Sequence, residues 1–230
     1  YRIIGSVQLG IGLLLLFTLP FWKVNKPKAE GGTSSRGLGG VLKIKGVPSL
    51  LIGFFAYCAA EATTMYWASS YLVEVKGVTT EQAARFASLF YIGLTVGRFL
   101  GGFIMNRLDD RKMILLGTGI LSCGILALLI PVEVPILSFA GLIIIGFGCA
   151  PIYPCIIHAT PYNFGAENSG AIIGIQMASA YIGSTFMPPL FGLLGNHISF
   201  GILPAYLAVF VVLMISMTES TFRITGQKSL

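Results

Sequence analysis

The sequence has 230 residues, of which 55% are hydrophobic and only 10% are charged, and its mean hydropathy is +0.83. Soluble domains carry roughly 25% charged residues, so this composition excludes a water-soluble globule. The formal net charge of +6 does not indicate a nucleic-acid partner, because the basic residues form no basic-aromatic groove and membrane topology explains their distribution.

The apolar residues fall into seven blocks of about the length that crosses a bilayer, for which a helix needs roughly 20 residues. Hydrocarbon admits only helices and closed barrels, and barrel strands alternate in polarity instead of being apolar throughout. We therefore predict an all-α membrane protein with seven transmembrane helices. In chain order, the predicted spans are about 3–22, 47–73, 83–105, 112–131, 135–158, 168–193 and 199–218.

The basic residues are distributed unevenly between the two sides that these spans define. Because cytoplasmic loops carry an excess of Lys and Arg, the richer side is predicted to be cytoplasmic. This describes a multi-pass protein of the cytoplasmic (inner) membrane with its C-terminus in the cytoplasm. The richer side holds Lys23, Lys26, Lys28, Arg36, Lys43, Lys45, Arg107, Arg111, Lys112, Arg223 and Lys228, and the other holds Arg2, Lys76 and Arg85.

One long hydrophilic segment, 23–46, is rich in Gly, Ser and Lys, which is typical of a flexible linker. It divides the chain into one span at 1–22, a cytoplasmic linker at 23–46, a six-span bundle at 47–218 and a cytoplasmic tail at 219–230. The first block is too long for a signal-peptide core and lacks a small-residue cleavage pattern. We expect that the chain begins partway through a larger protein.

The six spans after the linker contain an internal repeat. The segment YIGLTVGRFLGGFIMN (91–106) matches YIGSTFMPPLFGLLGN (181–196) at seven of sixteen positions, with a shift of 90 residues. The two units, about 47–131 and 135–218, have three spans each, so they insert with opposite orientation. Inverted repeats of this kind are typical of secondary transporters, and chance similarity between two glycine-rich helices is the alternative.

Small residues and prolines occur at informative positions within the spans. Gly93, Gly97 and Gly101 recur at every fourth position, a spacing that lets membrane helices approach closely. The segment GFGCAPIYP (146–154) holds two prolines, which remove backbone donors from a helix. We expect a bend or break there, serving either structure or a gate.

The most polar break in the spans, GRFLGGFIMNRLDDRKM, resembles the signature loop between the second and third spans of each half in the major facilitator superfamily. That loop follows the pattern G-x-x-x-D-R-x-G-R-R. Arg107, Arg111 and Lys112 match the pattern, whereas Asn106 and Asp109 replace its usual Asp and Gly. The resemblance implies twelve spans in two six-span halves. This chain would comprise the last span of the first half, the linker and the second half, and its partner would be the missing N-terminal half.

Two further segments resemble the fucose permease-like branch of sugar–proton symporters in this superfamily. AYCAAEATTMYWASSYL (56–72) is similar to that branch's seventh helix, in which a Tyr, small residues and a Glu recur in this order. Residues 150–194 are similar to its fifth-to-sixth-span region. The resemblance implies a sugar or similar small polar metabolite as the solute and protons as the coupling ion.

Several residues within the spans are candidates for binding this solute. Glu61 lies near the middle of the second span, where an ionisable residue is costly and is therefore a functional candidate. Its carboxylate could accept hydrogen bonds from sugar hydroxyls or carry a proton; the alternative is a bond to a neighbouring helix that fixes packing. Gln176 could likewise pair with hydroxyls. The aromatic candidates, for each of which packing is the commoner role, are Tyr57, Tyr91, Tyr153 and Tyr181.

The charged residues near the signature loop form a predicted gating or loop network. Arg98 lies one turn from the cytoplasmic end of its span and is expected to join this network. Asp109 and Asp110 could pair with the neighbouring cations or with Arg98, which would lock one access state. The alternative is a solvated hairpin whose charges only set topology. The network consists of Arg98, Arg107, Asp109, Asp110, Arg111 and Lys112.

Nothing in the sequence indicates catalysis. The four cysteines lie inside apolar blocks without the close spacing of a metal site, and cysteine commonly serves as a small buried hydrophobe. The sequence also lacks the residue pairings typical of an intramembrane enzyme. We therefore expect no metal, no cofactor and no enzymatic activity.

The sequence predicts part of a secondary active transporter that moves a small polar solute by alternating access within a lipid bilayer, with protons as a coupling partner. Without the first half, the chain is expected not to transport by itself. Two alternatives remain. One is a drug or metabolite exporter of the same superfamily, for which a more apolar cavity is typical, and the other is a non-transporting sensor of seven spans.

Overall fold

The apolar blocks form helices, as the need to satisfy backbone groups inside a bilayer requires. The computed structural model describes residues 2–18, 38–104, 108–130 and 136–226, among which no strand occurs. The helices are α1 (Arg2–Thr18), α2 (Leu38–Leu42), α3 (Val47–Lys76), α4 (Thr80–Ala87), α5 (Leu89–Ile104), α6 (Asp110–Leu129), α7 (Ile136–Phe164), α8 (Ala166–His197) and, after a 3-10 turn at Phe200–Ile202, α9 (Leu203–Thr225).

Six of the seven predicted spans are helices long and apolar enough to cross a membrane, which confirms the all-α membrane fold. The span predicted at 83–105 consists of α4 and α5 together. The span predicted at 3–22 contains α1, an apolar helix of 17 residues, and residues 19–22 lie outside the described part. The chain divides into two units, Tyr1–Arg36 with α1 and Gly37–Leu230 with the remaining helices.

The helices of the two repeat units interleave. α3 begins the first unit but packs mainly against α8 and α9 of the second, whereas α7 begins the second unit but packs mainly against α5 and α6 of the first. Each leading helix therefore lies with the second and third spans of the other unit. Two packing groups result: the α3 group (α3, α8 and α9) and the α7 group (α5, α6 and α7).

Equivalent glycines make equivalent contacts in the two groups. Gly93 on α5 lies so close to the carbonyl oxygen of Ile143 on α7 that a Cβ at this position would collide with it. Gly183, which aligns with Gly93 in the repeat, faces the carbonyl oxygen of Phe55 on α3, and a Cβ there would lie 2.6 Å from it. Small residues allow such backbone approach between membrane helices. The sequence match between the units therefore corresponds to a match in packing.

The predicted glycine surface on α5 is only partly formed. Gly97 lies against Phe147 and Ala150 of α7, as predicted. Gly101, one turn further, has no neighbour within 4 Å of a Cβ position in the described part of the chain, and it lines a cavity between α5 and α7. The two helices have therefore separated one turn beyond Gly97, and the close contact does not extend along the whole helix.

Of the bend or break predicted in α7, no break occurs, because the helix continues through Pro151, Pro154 and Pro161. A proline removes the hydrogen bond to the carbonyl four residues earlier, but neighbouring helices can compensate for the freed group inside a bilayer. The Phe147 carbonyl, freed by Pro151, lies against Gly97 of α5. Close packing of α7 thus keeps a proline-rich segment helical.

The ends of the six-helix bundle differ from the prediction. Residues 38–46 belong to the segment predicted as linker, yet they include α2, and Val41 is buried there; residues 23–37 lie outside the described part. At the other end, α9 continues to Thr225 instead of ending at 218, and its last turns bury Thr221 and Phe222. Packing of these apolar groups extends the ordered bundle at both ends.

The reciprocal contact between α5 and α7 provides a test of this packing. Gly146 on α7 faces the carbonyl oxygen of Phe90 on α5, where a Cβ would collide with it. We expect Gly146→Ala to lower the free energy of unfolding by about 1–3 kcal/mol, because the added methyl forces packed helices apart. Thermal unfolding in detergent measures the change.

Gly119→Ala on α6 is the matched control for this substitution. A Cβ at Gly119 meets no described atom within 4 Å, so the free energy of unfolding is expected to stay constant or to rise by up to about 1 kcal/mol through reduced chain entropy. Equal effects of the two alanine substitutions would contradict the α5–α7 contact.

Candidate functional site

A cavity of about 850 Å³ lies between α3 and α8. Its volume falls within the roughly 300–1,000 Å³ of small-molecule sites. α3 lines it from Cys58 to Trp67, α8 lines it from Met177 to Pro189, and α7 contributes Tyr153. Most of these residues are apolar or aromatic, and Glu61 is the carboxylate among them. The cavity therefore combines a broad apolar wall with a single acidic group.

Glu61 lies halfway along α3 in the wall of this cavity, and its side chain is 15% exposed. Its Oε1 atom is 3.9 Å from Nη2 of Arg98 on α5. This distance is too long for a hydrogen bond, so the two groups interact through charge. Charged groups inside a membrane are found paired and facing the bundle interior, and the Glu61–Arg98 pair fits that rule. The carboxylate is thus stabilised at mid-depth while it faces the cavity.

The position of Arg98 differs from the expectation that it joins the loop network. Its side chain is 56% exposed and lines a second cavity, of about 440 Å³, between α5 and α7. Arg98 and Glu61 therefore lie in adjoining cavities, one with a cation and the other with a carboxylate, and Tyr153 lines both.

Trp67 is held in the cavity wall by contacts with α8. Its indole Nε1 donates to the carbonyl oxygen of Pro188 at 2.8 Å. The ring lies over Gly192, where a Cβ would collide with it, and it packs edge-on to Phe191. These contacts fix the orientation of a large aromatic face next to the cavity.

Two of the predicted tyrosines line the cavity. The Tyr153 hydroxyl donates to the sulfur of Met177 at 3.2 Å, which joins α7 to α8. Tyr181 is exposed and lies on the α8 side. With Glu61, they are the predicted solute-binding residues that the structure brings to this cavity.

The other three predicted binding residues are not among the residues that line this cavity. Tyr57 is buried, and its hydroxyl donates to the carbonyl oxygen of Cys149 on α7 at 3.0 Å. Gln176 is buried as well, and its Oε1 accepts a hydrogen bond from Thr160 at 3.1 Å. Its Nε2 has no hydrogen-bond partner among the described residues. Tyr91 is exposed on α5 and does not line the α3–α8 cavity. Tyr57 and Gln176 thus join helices instead of facing the cavity.

The charged residues after α5 form separate contacts. The Asp109 carboxylate caps α6 by accepting from the Lys112 amide at 2.9 Å. Asp110 contacts Nδ1 of His158 on α7 at 2.8 Å. In the described part of the chain, Arg98 makes no ion pair with either aspartate. The predicted single network is therefore divided into local contacts.

Arg111 makes a bidentate contact within this charged region. Its Nε and Nη2 atoms donate to the two carboxylate oxygens of Glu219 on α9, at 2.9 and 2.6 Å. Paired hydrogen bonds of this kind are stronger and more directional than a single contact. The pair links α6 of the α7 group to α9 of the α3 group. Arg107 lies outside the described residues.

Sequence reasoning missed the contribution of the α8 wall. Ser184, Thr185, Pro188 and Pro189 all line the cavity, but none carries charge or an aromatic ring. The available signal was two adjacent prolines one helical turn after two hydroxyl residues, in the repeat segment that was already aligned. Trp67 also lines the cavity, although a Trp near a span end is typical of the membrane interface.

The family relationship matches this fold. The profile of the Major Facilitator Superfamily matches residues 2–188 and, in a second alignment, residues 50–226. The chain belongs to the Major Facilitator Superfamily. The resemblance of the signature loop is thereby confirmed for the superfamily, whose relatives below are transporters and not enzymes.

The relatives of this chain include proteins whose names state a transported solute. A gallate transporter of Pseudomonas putida is 28% identical over 204 residues, which cover 83% of this chain and 44% of that protein. The glucose/mannose transporter GlcP of Bacillus subtilis is 28% identical over 130 residues, which cover 54% of this chain and 30% of that protein. The chain spans less than half the length of the curated relatives it matches.

The same fold occurs in a solved superfamily structure. The crystal structure of the transporter FucP in the outward conformation superimposes with a TM-score of 0.74 at 18% sequence identity. The match covers 99% of this chain and 54% of that chain. At this identity, the likeness shows a shared helical architecture.

The hydroxyl of Tyr57 provides a test of its structural role. We expect Tyr57→Phe to lower the free energy of unfolding by about 0.5–1.5 kcal/mol, because it removes one buried hydrogen bond. Tyr71→Phe is the matched comparison, since the Tyr71 hydroxyl donates to the carbonyl oxygen of Leu128 at 2.7 Å, away from the cavity. Denaturation in detergent should give similar losses. A loss for Tyr71→Phe alone would contradict the assignment of Tyr57.

Proposed function

We propose that this chain is part of a secondary active transporter that moves a sugar or a similar small polar metabolite by alternating access, coupled to protons. One observation carries the proposal. A carboxylate at mid-depth of a membrane helix, Glu61, faces a cavity of about 850 Å³ and has Arg98 as a nearby counter-charge. An ionisable group is retained at such a depth at considerable energetic cost, which favours a functional role.

The chemistry of the cavity favours a solute with both hydroxyl groups and an apolar face. The Glu61 carboxylate can accept hydrogen bonds but cannot donate them when ionised. Trp67 and Tyr153 offer aromatic surface beside it. A monosaccharide has hydroxyl donors on its rim and C–H groups on its ring faces. The named relatives, which carry gallate and hexoses, transport compounds with several hydroxyl groups, in agreement with this class.

Glu61 is also the proposed proton carrier of this half. Protonation would cancel its charge and remove the attraction to Arg98, which is worth more in a low-dielectric environment than in water. The Arg98 guanidinium would then be released toward the second cavity. Solute transport is then coupled to protons, because the binding of a proton changes the charge of the cavity wall that the solute contacts.

Alternating access requires an opposing half. We propose that residues 1–22 form the last span of the first half, that 23–46 includes the linker, and that the bundle after it forms the second half. The whole transporter would contain a preceding half that closes the solute site. With the proposed topology, the N-terminus of α3 and the C-terminus of α9 face the cytoplasm of a cell whose inner membrane holds the protein. The cavity then extends from mid-depth toward the outer ends of α3 and α8.

A second candidate function is supported by the lining of the cavity. Met65 and Met177 lie in a wall that is otherwise largely aromatic or aliphatic, and methionine adapts to varied apolar ligands. An exporter of apolar metabolites would use such a wall. A binding screen that compares hexoses with apolar amines on the whole protein separates the two candidates.

Glu61→Gln tests the proposed role of the carboxylate. The substitution preserves size but removes the titratable proton, so the whole transporter, reconstituted in liposomes, should lose the stimulation of hexose uptake by acidic outside pH. Solute affinity should also fall by about tenfold or more, which corresponds to one lost hydrogen bond to a charged group.

The matched control is Glu74→Gln, because Glu74 is an exposed carboxylate on the same helix and does not line the cavity. It should leave both uptake and its pH dependence unchanged. Uptake by Glu61→Gln with the pH dependence of the wild type would exclude Glu61 from the site.

A further inference from the structure

Two adjacent prolines on α8 leave backbone carbonyls without their usual helical donors. Pro188 and Pro189 lie inside α8. A proline has no amide hydrogen, so these two cannot donate to the carbonyl oxygens four residues earlier, those of Ser184 and Thr185. All four residues line the α3–α8 cavity. The two freed carbonyls therefore belong to residues of the cavity wall, on a segment of α8 that lacks two of its backbone hydrogen bonds.

Freed carbonyls inside a membrane need donors, since each unsatisfied polar group is costly in hydrocarbon. The nearby side chains do not supply them. Trp67 uses its indole Nε1 on the carbonyl of Pro188, and the Ser184 hydroxyl contacts the Tyr181 carbonyl. In the described part of the chain, no side chain donates a hydrogen bond to the carbonyls of Ser184 and Thr185. Groups that enter the cavity can supply these donors.

The alignment of the repeat shows that the adjacent prolines distinguish the second unit from the first. With the shift of 90 residues, Pro188 occupies the position that Arg98 occupies in the first unit. The first unit thus has a guanidinium, which only donates hydrogen bonds, at the position where the second unit has a proline that frees the Ser184 carbonyl one turn earlier. Arg98 lines the second cavity, whereas Ser184 and Pro188 line the α3–α8 cavity.

We infer that the Ser184 and Thr185 carbonyls are the acceptors that select polyhydroxylated solutes in the α3–α8 cavity. Two hydroxyls of the solute donate to these carbonyls, and its apolar C–H face lies against the indole ring of Trp67. Glu61, on the facing helix, accepts from a further hydroxyl. This inference rests on the proposed transport of a sugar-like solute and assigns the residues that recognise it. Solutes without donors leave the freed carbonyls unpaired and are rejected.

The experiment restores the missing backbone donors. Pro189→Ala supplies an amide hydrogen to the Thr185 carbonyl, and Pro188→Ala supplies one to the Ser184 carbonyl. Pro189 is exposed whereas Pro188 is buried, so the two variants differ in their effect on packing. Pro161→Ala in α7 is the matched control, because Pro161 also lies within a helix but does not line the cavity. The probes are D-glucose, D-galactose and the set of monodeoxyglucoses, each of which lacks one hydroxyl.

Binding constants of these probes are measured on the whole transporter in detergent, with uptake into liposomes as a second measurement. The wild type should bind at least one monodeoxyglucose about tenfold more weakly than glucose, as expected for a hydroxyl whose partner is left unpaired. Pro189→Ala or Pro188→Ala should weaken glucose binding by a similar factor and abolish the preference for glucose over that analogue. Pro161→Ala should keep both the affinity and the preference.

Three outcomes would overturn the inference, in distinguishable ways. Equal binding of glucose and all monodeoxyglucoses by the wild type would exclude recognition of hydroxyls by these carbonyls, whatever the variants do. An unchanged preference in both proline variants would exclude the two carbonyls while leaving sugar transport intact. Failure of the wild type to bind or take up either hexose would overturn the proposed function, and with it this assignment.

Discussion

The close backbone contact between α5 and α7 is the constraint on which the site depends. Gly93 faces a carbonyl of α7, and Gly146 faces a carbonyl of α5, so neither position has room for a side chain. This reciprocal contact fixes the rotation of α5. It thereby places Arg98, little more than one turn after Gly93, beside Glu61 of α3. A bulkier residue at either glycine would separate the helices and remove the counter-charge from the carboxylate.

Two kinds of contact join the helices of the bundle. Within each packing group, glycines allow helices to approach closely. Between the groups, side-chain hydrogen bonds and an ion pair add to the shared apolar core. They include Tyr57 to Cys149, Tyr71 to Leu128, Thr160 to Gln176 and Arg111 to Glu219.

Hydropathy and repeat patterns were sufficient to predict the helical membrane fold and the position of Glu61, because both depend on local composition. They were insufficient for Tyr57, Gln176 and Arg98, since the side to which a residue points depends on how each helix is rotated by its distant partners. In a span that is apolar on all sides, the sequence does not indicate which side of the helix faces the bundle. The backbone acceptors of α8 were missed for another reason: a proline creates them on residues four positions away, so residue type at the site itself carries no signal.

The interleaving of the repeat units has a consequence for biogenesis. During synthesis, α3 enters the membrane before α8 and α9 exist, and the start of α8 lies 90 residues after the end of α3 (Lys76 to Ala166). The face of α3 that packs against α8 and α9, together with the partly exposed Glu61, must therefore remain in lipid or with an insertion factor during that interval. The first counter-charge to arrive is Arg98 on the next span. The pair that faces the cavity in the finished protein is thus also the earliest means by which the nascent chain can shield a charge from hydrocarbon.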